Sequence, residues 1–204
     1  MLSEMRRSAD AAKGAADTAL STLQDSRVIQ RPWVGIVGDV QLAGPITLST
    51  LPSIPDKIGI DLLIMFRIKN VGSAPAFRTF DAAMMAAGKE RPNEILMQGE
   101  CSSAERQSAQ LAGEALPPQG EITLRKGETG GFKGMSVGDM QTLWVLGCIA
   151  YQDYSQKTYH HYKWWIEVTT DPKGASPSSE SRGEPFKYFN LPVTGMWLAG
   201  SGAD

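Results

Sequence analysis

The chain has 204 residues, 42% hydrophobic and 21% charged, with a net charge of −2 and a pI near 5.8. That length is enough for a sizeable core, and the absence of a basic excess argues against a nucleic-acid binder. Two cysteines are too few for a disulfide framework, and no run approaches the roughly 18 apolar residues of a spanning helix.

Residues Ser3 to Asp25 are alanine-rich and predict a helix. Met5, Ala9, Ala12, Ala16, Ala19 and Leu23 recur at alternating spacings of four and three, a narrow heptad-like seam. Two readings stand: a solvent-exposed stalk, or self-association through the alanine seam. Arg31-Pro32 ends the helix, because proline disfavours helical geometry at the residue before it.

From Trp33 the hydrophobic period becomes two. Val34, Ile36, Val40 and Leu42 share one face of a first strand, in which Gly35 and Gly38 suggest a bulge or a close neighbour. Pro45, Pro52 and Pro55 mark an irregular crossing segment. Ile58 to Lys69 is the best strand of the chain, with Ile58, Ile60, Leu62, Ile64, Phe66 and Ile68 on one face. It stops at Asn70-Val71-Gly72, and an extended run restarts from Phe77 to Met85.

Gly88 to Gly99 reads as a loop. Ser102 and Glu105 form a capping-box pattern that predicts a short helix from Ser103 to about Ala112. Ile122 and Leu124 make a small strand, and Gly127 to Gly138 is a loop or edge strand.

The stretch from Leu143 to Val168 holds three of the five tryptophans, four of the five tyrosines and both histidines. It predicts a hairpin with a polar loop from Gln152 to Lys157. Both faces of its first strand are apolar, with Leu143, Val145 and Ile149 opposite Trp144, Leu146 and Cys148, so this strand is covered on two sides. On its second strand Tyr162, Trp164, Ile166 and Val168 oppose His161, Lys163, Trp165 and Glu167. Residues 170–204 read as a Ser/Pro/Gly-rich segment, with an edge strand at Phe186, Tyr188 and Phe189 and a disordered end.

Chemical motifs are scarce. His160 and His161 point to opposite faces of a strand and cannot easily share a metal. Cys148 has no His and Met partners at copper spacing, and Cys148 reads as a buried thiol or as half of a Cys101–Cys148 bridge. Gly127 to Gly134 lacks the order of a phosphate loop, since Gly134 follows Lys133. The acids Glu121, Glu128, Asp139 and Asp153 are scattered, and only an unknown fold could pair them as a glycosidase does. No catalytic, metal or cofactor set emerges.

The hairpin aromatics read either as cross-strand packing or as an exposed stacking face for a partner or sugar. Trp165 is the best exposed contact in that view, with Tyr159, His161 and Lys163 beside it.

Three short motifs carry a resemblance: Arg31-Pro32-Trp33-Val34, Asn70-x-Gly72-x-x-Pro75-Ala76, and Gly147-x-Ile149-x-Tyr151-x-Asp153. With them the chain resembles a loose group of uncharacterised bacterial proteins that carry an N-terminal membrane helix, a helical stalk and a β-sandwich. The membrane helix has no counterpart here, and the histidine that follows the hairpin loop in that group is displaced to His160 or His161. The resemblance implies a membrane anchor upstream; taken literally, the chain is cytoplasmic. It carries no activity.

The expected fold is mainly β: an immunoglobulin-like antiparallel β-sandwich (32–169) behind an N-terminal helix (1–31), with one short inserted helix. The expected function is a non-enzymatic protein-interaction module. A carbohydrate-binding sandwich is the alternative, and an enzyme the third reading.

Overall fold

Two long antiparallel sheets share one core in the computed structural model, which describes residues 2–29, 31–51, 54–111, 113–133, 136–177 and 187–203. The protein is mainly β, with two helices. The first helix, α1 (Leu2–Ile29), ends ahead of Pro32 as the sequence predicts.

The first sheet is centred on β3 (Ile54–Asn70). On one edge β1 (Val34–Leu42) pairs with its C-terminal half and β2 (Ile46–Leu51) with its N-terminal half. On the other edge β6 (Glu121–Lys133) runs antiparallel from Lys57↔Lys133 to Lys69↔Glu121. β10 (Lys187–Leu191) and β9 (Ser176–Pro177) extend the sheet beyond β2. The register of β1 shifts between Val37 and Gln41, where Gly38 takes φ +71°, so the bulge signalled by glycine is present.

The second sheet runs β11 (Val193–Ala203), β8 (Tyr159–Thr170), β7 (Thr142–Gln152), β4 (Ala76–Ala87), β5 (Glu114–Leu116). The period-two face of β3 is the core: Ile58, Ile60, Leu62, Ile64, Phe66 and Ile68 are all at most 2% exposed. They pack with Leu143, Val145, Ile149 and Tyr151 of β7 and with Trp164, Ile166 and Val168 of β8. Each such side chain contributes about 1.5–3 kcal/mol by leaving water, which is why alternation alone located the strand. Trp164 lies 5.1 Å from Phe66 and over Gly147, directly opposite it in the ladder; a Cβ on Gly147 would collide with the indole.

β7 is covered on its second face as well. There Leu146 and Ala150 meet α2 (Glu94–Gln110) through Met97 and Ala104, and Cys148 is bonded to Cys101. The pairing of these cysteines is therefore settled within the structure. α2 begins nine residues before the predicted helix start. Its N-cap is Asn93, which accepts from the Leu96 amide at 3.3 Å, and Ser102 lies within the helix. The decisive pattern is Met97, Cys101, Ala104, Ser108, spaced four, three, four and buried against the sheet.

Two further segments differ from expectation. The proline-flanked 46–51 stretch is strand β2, held by Ile46 and Leu48, which are fully buried. In the C-terminal segment the strand expected around Tyr188 and Phe189 is present as β10, paired on both sides rather than at an edge, whereas the end expected to be disordered belongs to β11, which pairs with β8 as far as Ala203↔Tyr162. Phe186 lies outside the described residues, as do the side chains of Tyr188 and Phe189.

Asn70 joins the strand ends into one node. It is fully buried, its Oδ1 accepts from the Trp33 and Gly72 amides, and its Nδ2 donates to the Ala74 and Leu116 carbonyls. Gly72 is tied to the same place, because a Cβ there would run into the Arg31 and Trp33 backbone. Two of the short motifs, around Pro32 and around Asn70, are thus one structural element.

Candidate functional site

The hairpin residues expected to face a partner instead face α2. Trp165 is 6% exposed, packed with Met97 and Leu146, and the Arg91 guanidinium lies 4.0 Å above its ring. The expectation of an exposed Trp165 is corrected: strand parity was read properly, but the helix covering that face was placed too late in the chain to reach it. Tyr159 packs on Ala82, Ala104 and Ala150, with its hydroxyl 3.4 Å from Ser108 Oγ. His161 Nε2 lies 2.7 Å from Glu105 Oε1 of α2, and Lys163 is half-buried at the same strand parity.

His160 points the other way, against Tyr151 at 5.6 Å and 3.8 Å from Asp153 Oδ2. Burial works to raise the Asp153 carboxyl, but hydrogen bonds from the Ser155 hydroxyl and amide outweigh it and hold the group below its ordinary range. Among the described residues no three of His, Cys, Asp and Glu are placed to hold a metal. On α1, Ala12, Ala16, Ala19 and Leu23 are exposed; the side chains of Met5 and Ala9 lie outside the described residues.

A different region gathers ionisable groups. Where β6 passes β4, the inward parity of β6 runs Ile122, Leu124, Lys126, Glu128, Gly130, continuing an apolar face with two charges. Gly130 leaves room for the Phe132 ring of the same strand, which would lie 2.8 Å from a Cβ there. Opposite stands Asp81, whose inward aim depends on a bulge. β4 pairs Phe77↔Gln152 and then Phe80↔Ala150, one residue too many, and Arg78 takes φ 50°. Without that extra residue, inward-facing Ala76 would put Thr79 and Asp81 on the opposite side. The Ser108 hydroxyl of α2 donates to the Arg78 carbonyl at 2.7 Å and Gly113 presses on the Arg78 backbone, so the bulge is held from two sides.

Lys126 Nζ sits 3.1 Å from Asp81 Oδ2 and donates to the Asp81 carbonyl at 3.2 Å. Glu100 of α2 and Glu128 complete a set of three carboxylates around one ammonium. Burial raises Glu128 to about 7; Lys126 counters this, while Glu100 and Asp81 push it further up. Glu100 is also raised, by burial, against the pull of Lys126 and Arg106.

Beside this set lies a cavity of about 190 Å³, lined by Ile68, Phe80, Ile122, Leu124 and Ile149 together with Thr79, Asp81, Gly113 and Glu114. Thr79 is 7% exposed, and among the described residues its Oγ1 has no hydrogen-bond partner; Asp81 Oδ2 has the Lys126 ammonium as an ion pair.

Of this site the sequence announces only Glu128, among the scattered acids. The readable signal was Lys126 and Glu128 falling on the same parity as Ile122 and Leu124. The bulge that turns Thr79 and Asp81 towards them carries no glycine or proline to announce it.

No family model, curated protein or solved structure matches the chain. Function therefore rests on geometry. Among the described residues no helix is long and apolar enough to cross a membrane.

Proposed function

We propose that this chain is a non-enzymatic interaction module: an immunoglobulin-like β-sandwich carried on a helical arm that pairs with the arm of a second copy. The observation behind it is the bareness of α1. All its described side chains, Arg6 and residues 10–23, are exposed, including Leu20 and Leu23 at 58% each. Over these described residues the helix buries no side chain and is held there by propensity and local pairs, a marginal state in water. A partner along Ala12, Ala16, Ala19 and Leu23 supplies the missing burial. A second copy suits a seam of alanines, because two narrow, identical stripes are self-complementary about a two-fold axis.

The order of strands supports the sandwich half of the proposal. β1–β3–β6 in one sheet and β5–β4–β7–β8 in the other follow the Greek-key order of immunoglobulin-like domains. The chain departs from antibody domains in its disulfide, which joins β7 to α2 rather than sheet to sheet, and in its core tryptophan, on β8. The membrane-proximal setting implied by the resemblance belongs to the same proposal. The Cys101–Cys148 bridge supports it, since such links persist in oxidising compartments. Sugar binding by the hairpin has less support: Trp165 and Tyr159 lie under α2, and Tyr154 is the hairpin aromatic left exposed.

Light scattering on a sizing column tests the proposal. The full chain should elute as a dimer, and a chain starting at Arg31, or a triple variant Ala12→Arg, Ala16→Arg, Ala19→Arg, as a monomer. A monomeric full chain overturns pairing through the arm.

A further inference from the structure

The helix α2 lies over β4, β7 and β8 on the side away from the main core, and what holds it there is thin. Its buried side chains are Met97, Cys101, Ala104 and Ser108, of which Met97 alone is large. Met97 packs with Leu146 and Trp165, and Ala104 with Ala82, Ala150 and Tyr159, in two small clusters separate from the core that the two sheets share. Ser108 Oγ donates to the Arg78 carbonyl at 2.7 Å, and Glu105 Oε1 meets His161 Nε2 at 2.7 Å. Between these contacts runs a covalent tie, from Cys101 to Cys148 of β7. The helix is a weak one in its own right. Gly99, Cys101, Ser102, Ser103 and Ser108 stand within it, all of low helix propensity, and a helix of this length holds in water mainly through packing. Ile95 and Leu96 are exposed and add little to that packing. Across the β4–β6 cleft Glu100 of α2 repels Glu128, which Lys126 offsets only in part.

We propose that the Cys101–Cys148 bridge is a redox latch and α2 the lid it closes, opened by a dithiol reductant. Cys101 is 4% exposed and Cys148 not at all, so the reductant reaches the sulfur on the helix. One thiolate of the dithiol attacks Sγ of Cys101, forming a mixed disulfide and expelling Cys148 as a thiolate, which takes up a proton. The second thiolate of the dithiol then attacks the dithiol's own sulfur in that mixed disulfide, and Cys101 leaves and is protonated. The bridge has gained two electrons and two protons, and the dithiol has become an internal disulfide. What remains on α2 is the packing of Met97 and Ala104 and the ties of Ser108 and Glu105, too little for a helix of this composition. Residues 94–110 therefore leave the sheet and lose helical order. The sandwich survives, because Val145, Ile149, Trp164 and Ile166 hold β7 and β8 from the opposite face against β3. Opening uncovers Leu146, Tyr159 and Trp165, an apolar strip whose exposure is thereby made conditional on reductant. The latch is independent of α1 and of pairing through it.

Hydrogen exchange read by mass spectrometry tests this on the full chain, before and after treatment with millimolar dithiothreitol, cleavage being checked by thiol alkylation. Amides of 94–110 should exchange about a hundredfold faster once the bridge is cut, while 58–68 and 143–151 keep their protection. Reoxidation should restore slow exchange in α2. Acrylamide should quench an additional tryptophan in the reduced chain, and that increment should vanish in Trp165→Phe. A double variant, Cys101→Ala with Cys148→Ala, should show the open pattern with or without the dithiol; should it fail to fold, reduction of the parent chain carries the test. Unchanged protection of 94–110 after cleavage, loss of protection there and in 58–68 together, or a bridge that dithiothreitol leaves intact in the folded chain, each overturns the proposal. So does a quenching increment of equal size in Trp165→Phe.

Discussion

Asn70 and the Thr79–Asp81 pair are both polar groups sunk among strand ends of the same β protein, yet they are treated in opposite ways. Every hydrogen-bonding position of Asn70 that the structure describes is used, two amides entering its oxygen and two carbonyls taking its nitrogen. Thr79 Oγ1 has no hydrogen-bond partner among the described residues, and Asp81 Oδ2, on a less deeply buried side chain, has the Lys126 ammonium at 3.1 Å as an ion pair. The first arrangement ties β1, β3 and β5 together and leaves no chemistry to spare. The second leaves the Thr79 hydroxyl unspent, and Arg78, at φ 50°, holds the bulge that turns it inward. Saturation marks a structural polar group, and an unpaired one lowers stability.

Breaking the saturated node should have the largest effect. Asn70→Ala removes four hydrogen bonds and strands buried backbone groups, so a loss of about 4 kcal/mol or more is expected in urea unfolding. Removing the Cys101–Cys148 bridge, by reduction or by Cys101→Ser with Cys148→Ala, frees a loop of 47 residues' separation. About 3–4 kcal/mol should be lost, and native-state proteolysis should then cut first within 94–110. Gly147→Val drives Trp164 off its place and should cost about 2–3 kcal/mol, read with tryptophan fluorescence as a second signal.

The cleft should respond differently. Glu128 is raised from 4.5 to about 7, so the folded protein holds its proton more tightly than the unfolded chain. Its contribution to stability is therefore fully present below pH 4.5 and is lost as pH rises through about 7. Glu128→Gln should flatten that decline in a series of melting curves between these values, and a variant that melts with the parent's pH profile would count against the cluster. Thr79→Val should have the smallest effect, neutral or stabilising by about 1 kcal/mol, because nothing is unpaired by it. A destabilisation of Thr79→Val as large as that of Asn70→Ala would erase the contrast between the two regions.

The legible part of the molecule was the part governed by period. The β3 face, the doubly covered β7 and the parity of β8 all follow from alternation, since burial on a pleated sheet repeats every second residue. The Gly38 bulge was legible for a related reason, as glycine marks positive φ. What escaped depends on contacts between distant segments. α2 was shortened because the Ser102–Glu105 pattern imitates a cap, whereas Asn93 is the cap and the sheet fixes the buried stripe. β2 was hidden by its prolines and β11 by its glycines, each overruled by a neighbouring strand. The cleft needed both the Arg78 bulge and the passage of β6 over β4. Neither is local, so Thr79 and Asp81 could not be distinguished from any other residues of an alternating strand.

The bareness of α1 also has a mechanical side. At about 1.5 Å per residue its 28 residues make a rod about 42 Å long. While it stays helical, its two ends are held further apart than those of a flexible tether of equal residue count would be on average. Lengthening it by one heptad would add about 10 Å along the same axis while nearly preserving the facing of its seam.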